Sequence, residues 1–168
     1  MNRESEPGMS PSSGSVEDPH PSKGRGVGLG EGRLASFRAF WPYYLGEHTH
    51  VVCRSMHVVG TFGFLATLAV GVYRLPETTA WAVAIVVVGT LMGCRLEPRG
   101  GTVPWFVLIL AVAAWFSPWF VLPATLWGYA WAWTGHFVFE KNRPATFRYP
   151  FWSLVADLRM VGKVFRRR

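Results

Sequence analysis

Between residues 57 and 139 the chain carries four apolar runs, about 57–74, 79–95, 103–117 and 119–139, each bounded by charge, proline or glycine. A membrane crossing takes roughly 20 mostly apolar residues, with about 17 a practical minimum. The first, second and fourth runs reach that length. The third, Val103 to Ser117, is short, but Pro118 and Trp119 join it to the fourth with no soluble loop between, as in a tight helical hairpin. Half of the 168 residues are hydrophobic, and the 12 Phe, 9 Trp and 5 Tyr all follow residue 36. The expected fold is all-α, an integral membrane bundle of about four transmembrane helices.

The flanks differ from this centre. Residues 1–33 hold Gly, Ser, Pro and mixed charge with almost no large apolar side chain, so burial cannot offset the entropy lost on ordering. A disordered tail is expected there, with a membrane helical domain over 34–168. The tail has no 7–15-residue apolar core of the kind a cleavable signal peptide needs, so the first membrane helix is expected to direct insertion. Ser36 to Gly46 is aromatic and short, which fits an interfacial helix with Trp41, Tyr43 and Tyr44 at headgroup depth. Phe151 to Arg168 mixes apolar and basic residues and ends in three arginines. It reads either as an amphipathic helix on the cytoplasmic leaflet or as a positive stop signal.

The charges supply a topology. With four spans, all but Arg74 of the 17 Lys and Arg residues fall on one side, which the positive-inside rule makes cytoplasmic. Both termini are then cytoplasmic, in the inner membrane of a bacterium or the endoplasmic reticulum of a eukaryote. The formal charge of +7 does not imply nucleic acid, because the cations flank apolar runs instead of forming a patch with stacking aromatics. The pattern Gly89-x-x-x-Gly93 in the second run would permit close helix contact.

Several chemistries are unsupported. Cys53 and Cys94 lack CxxC spacing, so neither a disulfide framework nor a thiolate zinc site is indicated, and both read as buried thiols. The glycine-rich stretch Gly24 to Gly30 lies in the tail without a strand before it or a helix after it, which is not a phosphate loop. Ser55 and Ser153 lack a nucleophile elbow.

Histidines remain. His48, His50 and His57 lie at the cytoplasmic start of the first span and His136 at the cytoplasmic exit of the fourth, so topology brings distant residues to one membrane level. Ionisable groups at such a level are candidates for function. His136 and Glu140 are four apart and would share a helix face. His48 and His57, nine apart, would meet only across a break in the helix, while His50 and His57 share a face two turns apart. Several imidazoles with a carboxylate suit Fe(II), Mn(II) or Zn(II), and two histidines with one carboxylate serve oxygen chemistry at non-haem iron. The alternatives are histidines bonded to helix-end carbonyls, or bis-histidine haem ligation. Past Glu140, Asn142 and Arg143 precede Pro144, which ends the span. Arg143 either snorkels or grips a carboxylate or phosphate.

The segments Tyr44-Leu-Gly-Glu-His48, His57-Val-Val-Gly-Thr61 and Gly128-Tyr-Ala-Trp-Ala-Trp-Thr-Gly-His136-Phe-Val-Phe-Glu140-Lys-Asn142-Arg-Pro144-Ala145 carry a resemblance. They are similar to the family of the fungal protein that metabolises phytosphingosine to odd-numbered fatty acids, over about residues 37–160. The resemblance implies a multi-pass membrane Fe(II)-dependent dioxygenase that removes one carbon from 2-hydroxy fatty acids with O₂. Its implied metal and catalytic positions here are His48, His57 and His136, with Glu140 and Asn142 as neighbours and His50 as an extra candidate ligand. Asn142, Arg143 and Arg54 are candidates for holding the substrate. The rivals are a non-catalytic lipid-binding bundle and a metal or haem carrier without oxygenase activity.

Overall fold

The structure, a computed structural model, describes residues 32–166. Six helices follow one another: α1 (Phe37–Gly46), α2 (Val51–Arg74), α3 (Pro76–Leu96), α4 (Thr102–Phe116), α5 (Pro118–Thr134) and α6 (Pro150–Arg166). Among the described residues there is no strand. Residues 1–31 of the expected tail lie outside the described residues. Arg33, also placed in that tail, is held: its guanidinium reaches Glu97 at 3.2 Å and the Arg148 carbonyl at 2.7 Å, and lies over the Tyr149 ring.

The local sequence explains where the helices start and turn. Ser36 accepts the Ala39 N–H and caps α1. Pro76 and Pro118 open α3 and α5 at a position where the missing N–H costs nothing. Gly100 and Gly101 take positive φ in the turn into α4.

Two helical segments are long and apolar enough to cross a membrane, Val51–Arg74 and Pro76–Arg99. α4 is apolar but has only 15 residues. In the two long windows only 17% and 22% of residues are buried, whereas the core helix of a water-soluble protein is mostly covered. α2 begins at Val51, six residues before the apolar run expected from 57, and its first turns carry Cys53 and His57.

Glycine sets the crossing of α2 and α5. A Cβ on Gly60 of α2 would lie 3.1 Å from the Gly128 carbonyl of α5, so these two backbones touch where a side chain would part them. Gly89 and Gly93 do serve close contact, but within the chain: Ile109 of α4 fills the space at the first and Phe151 of α6 at the second.

The outer helices form their own core. Phe40, Trp41 and Tyr44 of α1 pack with Tyr149, Trp152, Ala156 and Met160 at and in α6. Phe151, Trp152, Ala156 and Met160 of α6 are thus covered by protein, as are Trp41 and Tyr44 of α1. Glu97 ties this layer to the bundle. Fully buried, it accepts the Phe151 N–H at 2.7 Å and the Thr102 hydroxyl at 3.1 Å, opposite Arg33. A carboxylate on the first free N–H groups of α6 satisfies donors the helix cannot satisfy itself.

Candidate metal centre

The chain break between α1 and α2 answers the geometric problem of His48 and His57. Residues 47–50 form the connection, so His48 leaves the axis of α2 and turns back toward it. Its Nε2 lies 3.2 Å from Nε2 of His57. His136 arrives on a wide π turn, Gly135–Glu140, that continues α5. Gly135 lets that turn approach α2: a Cβ there would lie 3.0 Å from the Cys53 sulfur. Ring centroids are then 4.5 Å apart for His48 and His57, 4.6 Å for His48 and His136, and 5.1 Å for His57 and His136. A ring nitrogen of each histidine and the Cys53 sulfur all lie within 4.8 Å of one another, and all four residues are buried.

The far nitrogens are all occupied. His48 Nδ1 donates to the Tyr44 carbonyl at 2.6 Å, and a carbonyl can only accept. His57 Nδ1 lies 2.8 Å from Oδ1 of Asp157, which also accepts the Tyr44 hydroxyl. His136 Nδ1 lies 2.7 Å from Oδ1 of Asn142. The amide of Asn142 cannot be turned round, because its Nδ2 donates at 2.9 Å to both the carbonyl and a carboxylate oxygen of Glu47. With three N–H groups directed outward, each imidazole has Nε2 left to offer inward as an unprotonated donor atom. Two such lone pairs at 3.2 Å repel unless a cation lies between or beside them. That is the arrangement of metal-ligating histidines, whose second nitrogen is held by a carboxylate, carbonyl or amide.

Burial, and then neighbouring His57, push the His48 pKa down to about 3, so the ring stays neutral. Burial works to raise the Asp157 carboxyl, but His57 beside it, with hydrogen bonds from His57 and Tyr44, holds it below the ordinary carboxylate range. The same burial and the nearby Asp157 carboxylate drive the Tyr44 phenol well above its usual value. The Tyr44 ring lies against His48 with centroids 4.1 Å apart.

Other expected site residues are placed elsewhere. Glu140 does not join His136. Its carboxylate instead accepts the Thr49 hydroxyl at 2.9 Å and the His50 N–H at 2.6 Å. His50 is the N-cap of α2, its Nδ1 accepting the Val52 N–H, and its ring lies near Phe139. Among the described residues the donor group is therefore three histidines and Cys53, without a carboxylate. Asn142 holds His136 rather than facing a ligand site. Arg54 grips the His48 carbonyl at 2.6 Å, and exposed Arg143 lies over Phe147.

Sequence reasoning missed Asp157, Glu47 and Cys53. Asp157 left one signal: it is the only acidic residue after Glu140, alone in a basic segment. Cys53, read as an ordinary thiol, stands one turn before His57 on the same face of α2.

Comparison with known proteins supplies the family. No curated protein and no solved structure matches the chain. A family model described as 2-hydroxy-palmitic acid dioxygenase Mpo1-like matches residues 34–97 and 98–168, which span both α2 and the π turn with all three histidines. The chain belongs to the Mpo1-like family.

Proposed function

We propose that His48, His57 and His136 hold Fe(II) and that the protein is a membrane-embedded dioxygenase acting on 2-hydroxy fatty acids. The observation that carries the reading is the set of three imidazoles whose Nδ1 atoms are committed to Tyr44, Asp157 and Asn142, leaving three Nε2 atoms for one ion. Imidazole donors suit iron among other first-row metals, and the dioxygenase description of the family supports iron among them. Ferrous iron supplies electrons to O₂ and Lewis acidity toward a substrate's hydroxyl and carboxylate.

The protein's own groups do the rest. Asp157 and Asn142 fix two ring orientations, and the Tyr44 carbonyl fixes the third. Arg54, anchored on His48, is the cation assigned to the substrate carboxylate. One 2-hydroxy acid and one O₂ balance as the acid one carbon shorter, CO₂ and water, so no external reductant is required.

The membrane placement belongs to the same proposal. α2, α3, α4 and α5 cross the bilayer with both termini cytoplasmic. Apolar side chains cover the outer faces of α2 to α5, and Tyr73, Trp115 and Trp119 stand exposed at the end opposite the histidines, as interfacial aromatics do. Arg74 is the one cation of those turns. α4, at about 22 Å, is shorter than the hydrocarbon core of about 30 Å, and the Ser117 turn would lie below the interface. There the Ser117 hydroxyl pairs with Thr79 at 2.9 Å rather than facing lipid.

Purified protein loaded anaerobically with Fe(II) is expected to turn 2-hydroxypalmitate and O₂ into the acid one carbon shorter, followed by mass spectrometry. Stoichiometric iron without product would leave a metal carrier, and neither would leave a scaffold.

A further inference from the structure

Below His57 the bundle is not filled. A cavity of about 370 Å³, within the range of small-molecule sites, runs among α2, α3, α4, α5 and α6. One end carries His57 and Asp157, and the deep end carries Leu68, Val83 and Thr125. The wall between is almost wholly aliphatic and aromatic. From His57 to Leu68 α2 rises about 16 Å. A chain of C–C bonds near 1.5 Å covers that distance with on the order of a dozen methylenes.

The cavity is closed below and open at one side. Beyond Leu68 and Val83 lies a small void of about 10 Å³, against Ala82 and Val121, which are packed together. At the side, Leu65, Val87 and Leu91 line the cavity while being 44%, 51% and 62% exposed. Polarity at one end, apolar wall elsewhere, a floor and a lateral opening match one kind of occupant, an amphiphile with a single chain. A compact polar ligand would leave its hydrogen bonds unmade along the wall.

We propose that this cavity is an acyl-chain slot, entered sideways over Leu65, Val87 and Leu91, with the polar head at His57 and Asp157 and a floor of Leu68, Val83 and Thr125 that limits chain length. The proposal rests on the preceding reading only for the identity of the head group. The Thr125 hydroxyl is buried without a partner. A methyl end beside it gains nothing from the hydroxyl, whereas a polar occupant would depend on it.

The test uses metal-free protein in nanodiscs and unsubstituted saturated fatty acids of graded length with a diazirine at the terminal carbon. Illumination is expected to label peptides carrying Leu68 and Val83, most strongly at one chain length. Val83→Phe cuts that labelling by about tenfold, the effect of overfilling a packed site. Leu68→Ala moves the best length upward, and Thr125→Val leaves labelling intact. Variants are compared at matching helical circular dichroism, and Leu68 and Val83 lie on different helices, so either informs alone. Label spread over the lipid-facing residues of all helices, equal in wild type and Val83→Phe, would overturn the slot, as would loss of labelling in Thr125→Val. Labelling that persists in a protein without iron turnover would keep the slot and sink the dioxygenase.

Discussion

His57→Ala is expected to abolish metal retention and turnover together, with affinity falling more than about a hundredfold, beyond the usual effect of losing a group behind a ligand. The same holds for His48→Ala and His136→Ala, since each removes one of three inward nitrogens. His57→Ala also strands the Asp157 carboxylate, so part of its effect is lost stability; helical content and thermal midpoint of the metal-free protein separate the two. His50→Ala is the control. Its ring caps α2 and lies near Phe139, so it costs about 1 kcal/mol of stability and leaves metal content unchanged. Metal loss in His50→Ala with retention in His57→Ala would reverse the assignment of ligands.

Asp157→Ala lowers metal affinity by about 10- to 100-fold without removing any ligand, because His57 loses the acceptor that sets its tautomer. Asp157→Asn keeps an acceptor of the same shape but not its charge, and falls between. Asn142→Leu does the same to His136, and additionally frees Glu47. Titration of the variants with Fe(II), read by metal-dependent absorbance, checks the order wild type, Asn, Ala. Equal affinity in wild type and Asp157→Ala would mean that His57 needs no orienting group.

The helices and their order were legible because apolar run length and flanking charge report directly on helix boundaries in a chain with so little polar surface. The histidines were legible in two ways, through their places at the ends of the first and last apolar runs and through the Gly135 to Ala145 block. Three features were not. Glu140 pairs with Thr49 and His50, some 90 residues away, and spacing along its own turn carries no sign of those partners. Asp157 lies 100 residues from its partner His57, on a helix whose basic composition pointed outward to lipid. Arg33 was read as part of the tail and Glu97 entered no reading, since an ion pair made across 64 residues leaves no local pattern. In each case the deciding contact is long-range and polar, whereas periodicity reads only the local apolar face.

X-ray absorption of the protein loaded with one equivalent of Fe(II) under nitrogen reads the ligand shell itself. The predicted spectrum contains three imidazole scatterers, and two in His136→Ala if iron is retained at all. A spectrum of oxygen neighbours alone, or one identical in wild type and His136→Ala, would contradict a metal centre built from His48, His57 and His136.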